Sequence, residues 1–90
     1  MGLFSKKKAA IDYDAVFKEQ YKSINQLLQQ AHQEMDYVIK ESLYELIVEK
    51  YRELLELIDQ GASFDKDHFV ALMDNAQKEL TMIHQMNKDV

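Results

Sequence analysis

Apolar positions recur along this chain in alternating steps of four and three, the pattern of a helical stripe facing a neighbour. Phe17, Tyr21, Ile24, Leu28, Ala31, Met35 and Val38 form the first such seam, and Gln20, Asn25, Gln26, Gln29, Gln30 and Gln33 fill the faces between. Near residue 39 the step changes: Ile39, Leu43 and Ile47 are four apart, a stutter in the heptad. Beyond it run two stripes, Leu43, Leu46, Ile47, Leu54, Leu57 and Ile58 on one side and Tyr37, Tyr44, Val48, Tyr51 and Leu55 on the other. Two adjoining stripes widen the apolar face, so this helix is expected at the centre, touching two neighbours. Phe69, Met73, Ala76, Leu80 and Ile83 give a third seam.

The ends of these segments carry recognisable stop and start chemistry. Asp12 is placed to accept the free N–H groups of a first turn, with Ile11 and Val16 around it as a hydrophobic staple. Gly61 is the one internal glycine of a chain with no proline, and a left-handed glycine after Gln60 closes a helix in the Schellman manner, with Ala62 against Leu57. Asp65 repeats the capping device, stapled by Phe64 and Phe69. So short a link returns the last helix antiparallel to the central one.

The open question is the join near residues 33–42. Asp36 is placed to cap a new helix, and Ser42-Leu43-Tyr44-Glu45 has the spacing of a capping box; against a break stand the missing Gly and Pro and the apolar Tyr37, Val38 and Ile39. Unbroken, residues 12–60 make a rod of about 70 Å, half of it uncovered by the return helix. The expected fold is all-α: a small antiparallel bundle of three helices, or a long helical hairpin if residues 33–42 are continuous. The expected organisation is a flexible basic tail over 1–11 and a single helical domain over 12–90, with helices near 12–35, 37–60 and 65–87.

Composition narrows the class. Ninety residues, 47 % hydrophobic and 30 % charged, fit one small folded domain and argue against disorder. With no cysteine there is no disulfide framework and no thiolate metal site, a usage compatible with the cytoplasm. The longest apolar runs are triplets such as Leu46-Ile47-Val48, too short for a bilayer, and Leu3 and Phe4 precede the lysines, the reverse of a secretory signal. Lys6, Lys7 and Lys8 are three of the 11 Lys+Arg, so the rest of the chain sets 8 cations against all 16 Asp+Glu, a net charge of −8. A body this acidic repels phosphate backbones, so no nucleic-acid partner is expected. The tail residues Leu3, Phe4, Lys6, Lys7 and Lys8 offer at most a weak contact with an anionic membrane, about 1 kcal/mol per lysine, peripheral to the inner face. Gly2 suggests myristoylation, but Lys6 stands where that motif needs Ser or Thr.

Candidate chemistry is sparse. His32, His68 and His84 fall at different places with no Glu-x-x-His arrangement, so neither a di-iron site nor another metal site is expected. Asp59, Ser63, Asp65 and Asp67 have the spacing of a calcium loop, but Phe64 replaces its glycine and Val70 its bidentate Glu. Glu41, Glu45, Glu49 and Glu53 form an acidic ridge with Lys50 and Arg52 beside it, a solvated face rather than an acid–base pair. No P-loop, Gly-rich loop or Ser-His-Asp set is present, so no enzyme and no cofactor are expected.

The tyrosines carry the functional expectation. Tyr37, Tyr44 and Tyr51 are seven apart and share one line of the central helix, with Val48 beside them. They are either a core-boundary stripe or a partner surface, since tyrosine joins large area to a polar tip. Met35, Met73, Met82 and Met86 add adaptable packing, with Met82 and Met86 beside the third seam. The chain is accordingly expected to be a non-catalytic protein–protein interaction module that binds a partner or itself, the latter as an antiparallel homodimer along Tyr37, Tyr44, Val48 and Tyr51.

Two resemblances supply alternatives. Glu34 to Leu80 is similar to small bundle-type bacteriocin immunity proteins in Glu41-Ser42-Leu43 read as a helix start, Tyr51-x-x-Leu54-Leu55, and Gly61-Ala62-Ser63 before a last amphipathic helix. It lacks that family's extended C-terminal tail, since seven residues follow Ile83. The resemblance implies a small membrane-associated bacterial binding protein. Tyr37-x-x-x-Glu41 also resembles the Y-x-x-x-E export pattern of helical-hairpin secretion substrates, without their W-x-G turn.

Overall fold

The structure, a computed structural model, describes residues 11–89, so Leu3, Phe4, Lys6, Lys7 and Lys8 lie outside the described residues. It is an all-α bundle of three helices: α1 Tyr13–Gln33, α2 Tyr37–Gln60 and α3 Lys66–Lys88. The stretch around 33–42 is therefore broken, and the break falls at Glu34–Asp36 without glycine or proline. Two acidic side chains substitute for them. Glu34 and Asp36 are both extended (ψ 126 and 113), the Asp36 N–H donates to Glu34 Oε2 at 3.1 Å, and Asp36 Oδ1 accepts from Val38 N at 2.9 Å and Ile39 N at 3.4 Å. These local bonds satisfy backbone donors that a continuous helix would otherwise have to satisfy, and they end it.

The other boundaries follow the capping chemistry. Asp12 accepts from Ala15 N at 3.1 Å and Asp65 from Asp67 N at 3.1 Å. Gly61, at φ +134, donates to Leu57 O and Ile58 O at 3.1 Å, while Ala62 donates to Leu57 O at 2.9 Å and is buried. This is the Schellman closure. Ile11 and Val16, expected to staple the entry to α1, are both exposed (58 % and 40 %). The entry is held instead by Asp14, whose Oδ1 accepts from Ser63 N at 2.7 Å and ties the start of α1 to the α2–α3 turn. The capping-box spacing at Ser42–Glu45 lies inside α2, and so does Glu41-Ser42-Leu43; the Ser42 hydroxyl donates back to Val38 O at 3.5 Å, as serines inside helices do.

α2 is central and packs against both neighbours, each antiparallel to it. Phe17, Ile24, Ile47 and Leu54 are completely enclosed, with Ala31, Tyr44, Val48, Tyr51, Phe69, Ala76 and Ile83 completing the core. The first seam thus holds from Phe17 to Ala31 and then fails: Met35 stands in the link at 90 % exposure and Val38 in the first turn of α2 at 66 %. The stripe on α2 likewise leaves Ile39 and Leu46 exposed.

Candidate functional site: the groove between α1 and α3

At the pole where α1 and α3 begin, Phe17 stacks on Phe64 (centroids 4.1 Å, 11°) and meets Phe69 edge-on at 4.8 Å. Tyr21 adds a second edge-on contact to Phe69 at 5.3 Å. These rings bridge α1 and α3, yet no pair of Cα atoms from the two helices comes within 8 Å. Past the ring cluster the space between them becomes a groove of about 240 Å³. Tyr44 and Tyr51 of α2 line it with Leu28 of α1 and Leu72, Asn75, Ala76 and Glu79 of α3.

The tyrosine ladder therefore sits where a surface stripe would not. Tyr44, Val48 and Tyr51 are 4 %, 5 % and 3 % exposed, and only Tyr37 is open to solvent. The line Tyr37, Tyr44, Val48 and Tyr51 is therefore not a flat surface: the wide apolar face of α2 is covered by α1 and α3 together. Tyr37 itself carries Lys40 over its ring at 5.6 Å.

Burial has left the ladder its polar tips. Among the described residues no hydrogen bond reaches the Tyr44 or Tyr51 hydroxyl, and no buried polar atom lacks a partner, so neither hydroxyl is completely enclosed. Burial is the first cause raising both phenol pKa values; Glu79 adds to it at Tyr44, and Tyr21 and Tyr44 add to it at Tyr51. Both therefore keep their protons at neutral pH and offer hydrogen bonds rather than a base.

The acidic ridge divides by neighbour. Glu41 joins α2 to the end of α3: His84 Nδ1 lies 2.8 Å from Oε2, and Asn87 Nδ2 donates to Oε1 at 2.7 Å and to Tyr37 O at 2.9 Å. The Asn87 and His84 hydrogen bonds hold the Glu41 carboxyl below its ordinary pKa. Glu49 pairs with Arg52 on the surface. Glu41 and Glu45 also line a second groove, about 210 Å³, with Gln77, Leu80, Thr81 and His84. Among the described residues no three His, Cys, Asp or Glu side chains are grouped to hold a metal ion, and no helix is long and apolar enough to cross a membrane.

Sequence reasoning found the ladder but missed the groove, Asn75 and Glu79. A signal for Glu79 was present: Leu72, Glu79 and Met86 are seven apart on α3, as Tyr21 and Leu28 are on α1. No protein-family model, no curated protein and no solved structure matches the chain.

Proposed function

We propose that this chain is a non-catalytic protein–protein interaction module, and that the groove between α1 and α3 is its docking surface. The observation supporting this is the pair of core tyrosines, Tyr44 and Tyr51, which line the groove and whose hydroxyls have no hydrogen-bond partner among the described residues. An apolar cleft with a few convergent polar groups is the usual form of a binding site. Protonated phenols, aliphatic walls and one rim carboxylate suit recognition better than turnover.

Photocrosslinking in the source cells tests the reading. A p-benzoylphenylalanine at Asn75, on the groove rim, is expected to capture a discrete protein that the same probe at Glu53 does not. Glu53 is exposed on α2, about 200° around the helix from the groove-lining Tyr51. Identical adducts at both positions, or none at Asn75, overturn the proposal; an adduct of twice the chain mass identifies the partner as a second copy.

A further inference from the structure

Three seven-residue lines meet along the groove. They are Tyr21 and Leu28 on α1, with Met35 in the link that follows it, Tyr51, Tyr44 and Tyr37 on α2, and Leu72, Glu79 and Met86 on α3. Because α2 runs antiparallel to both neighbours, the lines stack in layers. The first brings together Tyr21, Tyr51 and Leu72, the second Leu28, Tyr44 and Glu79, and the third Tyr37 and Met86, with Met35 in the extended link two residues before Tyr37. The lining of the groove places Leu28, Tyr44, Tyr51, Leu72 and Glu79 together, and Asn87 donating to Tyr37 O brings the end of α3 to the third layer. Exposure rises along the stack: Tyr51 is 3 % exposed, Tyr44 4 %, Tyr37 46 %, with Met86 at 41 % and Met35 at 90 %. The groove is thus closed by the aromatic cluster at one end and open at the other. Only one ionised side chain, Glu79, belongs to these layers.

From this arrangement we infer that the groove takes one amphipathic helix of another protein, whose apolar stripe carries a lysine or arginine opposite Glu79. The inference rests on the interaction-module reading and supplies the partner's chemistry. Seven-residue lines are the ridges a partner helix reads when it completes a bundle, inserting its own a and d side chains between them. Three layers span two heptads, about 21 Å, so the inserted helix needs about 14–18 residues. Charge selects among occupants. The chain beyond its first eleven residues carries −8, and Glu79 is the ionised side chain among those lining the groove, with Lys40 over the Tyr37 ring at the open end. A second copy brings the same −8 to the interface, whereas a cationic helix pairs Glu79 and leaves both phenols free to donate to its polar groups. The exposed methionines at the open end, Met35 and Met86, are adaptable surface of the kind helix-binding grooves use.

Two synthetic helical peptides of about 18 residues probe the groove, with leucines in one heptad stripe and a tryptophan reporter, which this chain lacks. One carries lysine at the stripe centre and on its flanks, the other glutamate at the same places. Amide NMR titration of the full chain is expected to show the lysine peptide shifting Leu28, Tyr44, Leu72, Asn75 and Glu79, at least about tenfold tighter than the glutamate peptide. Glu79→Gln is expected to remove most of that preference with an unchanged melting temperature, since the residue is exposed. Equal binding of the two peptides, or indifference to Glu79→Gln, overturns the cationic partner. Shifts centred on Glu41, Glu45 and His84 overturn the site. Dilution-sensitive groove resonances without peptide overturn the hetero-partner in favour of a second copy. If neither peptide binds while the Asn75 crosslink succeeds, this inference fails and the docking surface stands; loss of the crosslink removes the docking surface itself.

Discussion

The two poles of this bundle are built from different materials. Where α1 and α3 start, four aromatic rings (Phe17, Tyr21, Phe64 and Phe69) interlock across three segments of chain, and Gly61 and Asp14 fix the turn beneath them. Where α1 and α3 end, Met35, Tyr37, Val38, Ile39 and Met86 are exposed, and polar bonds among Tyr37, Glu41, His84 and Asn87 hold α2 to α3. Ring burial is water-excluding and non-directional; the polar cluster is solvated and loses much of its Coulomb energy to water. The difference sets a tightly packed, water-excluding end against a solvated one.

The sharpest break of the comparison is Phe17→Ala. Phe17 is 1 % exposed and touches both Phe64 and Phe69, so its loss is expected to cost about 3–5 kcal/mol, read as a lowered urea midpoint. Met35→Ser at the opposite pole should stay within about 0.5 kcal/mol of wild type, since Met35 is 90 % exposed. Equal losses at the two sites would show that the poles are not distinct.

Gly61→Ala comes next. A methyl group there would sit 3.6 Å from the Tyr13 ring, an ordinary contact, so space is not the obstacle. The obstacle is φ +134, which an L side chain rarely adopts, and the expected loss is about 1–3 kcal/mol. A calorimetric melting temperature equal to wild type would mean that the turn relaxes to another closure at little cost.

How much of this was legible in the sequence divides along the same axis. Caps at Asp12 and Asp65, the Schellman turn at Gly61 and the seams Phe17–Ala31 and Phe69–Ile83 are local chemistry, and local spacing states them. The link at Glu34–Asp36 was ambiguous because the sequence holds the acids that stop α1 but none of the residues that usually mark a stop. Met35 and Val38 continue the heptad in sequence while the chain leaves the helix, so periodicity carried the seam past its physical end. The tyrosine ladder was visible, but whether it faced solvent depended on how far apart α1 and α3 stand. That spacing is set by ring packing between Phe17, Phe64 and Phe69, residues 47 and 52 positions apart from Phe17 in the chain. No pattern within one helix encodes it.

The two caps extend the comparison at lower amplitude. Asp36→Ala and Asp65→Ala are each expected to cost about 1 kcal/mol, the first slightly more because Asp36 accepts from two N–H groups and Asp65 from one. Guanidinium unfolding curves with unchanged slope measure both. Asp36→Ala has a second consequence that Asp65→Ala lacks: without its cap the α1–α2 link loses a reason to break, and amide exchange at Val38 and Ile39 should change more than at Lys66 and Asp67. The reverse order would place the stop in Glu34 alone.

The smallest expected effect is a dependence on pH at the open pole. Glu41 accepts from Asn87 and His84, and both bonds favour its ionised form, so its folded pKa lies below the unfolded one. A carboxylate depressed in this way stabilises the fold at pH values above its unfolded pKa, and that contribution disappears as pH falls through the folded pKa. Lowering the pH below the ordinary carboxylate range should therefore loosen the α2–α3 contact at Tyr37, Glu41, His84 and Asn87, leaving the aromatic pole intact, since none of its stacked rings is ionisable there. Chemical shifts of the His84 and Asn87 side chains, followed through the acid range, should move together with the Glu41 carboxyl, while Phe17 and Phe69 ring resonances stay fixed. Glu41→Gln keeps a hydrogen-bond acceptor but removes the titration, so in that variant the open pole should lose its acid response. An aromatic pole that loosens at the same pH, or an open pole in Glu41→Gln that still responds, would assign the acid sensitivity elsewhere and remove Glu41 as the fastener between α2 and α3.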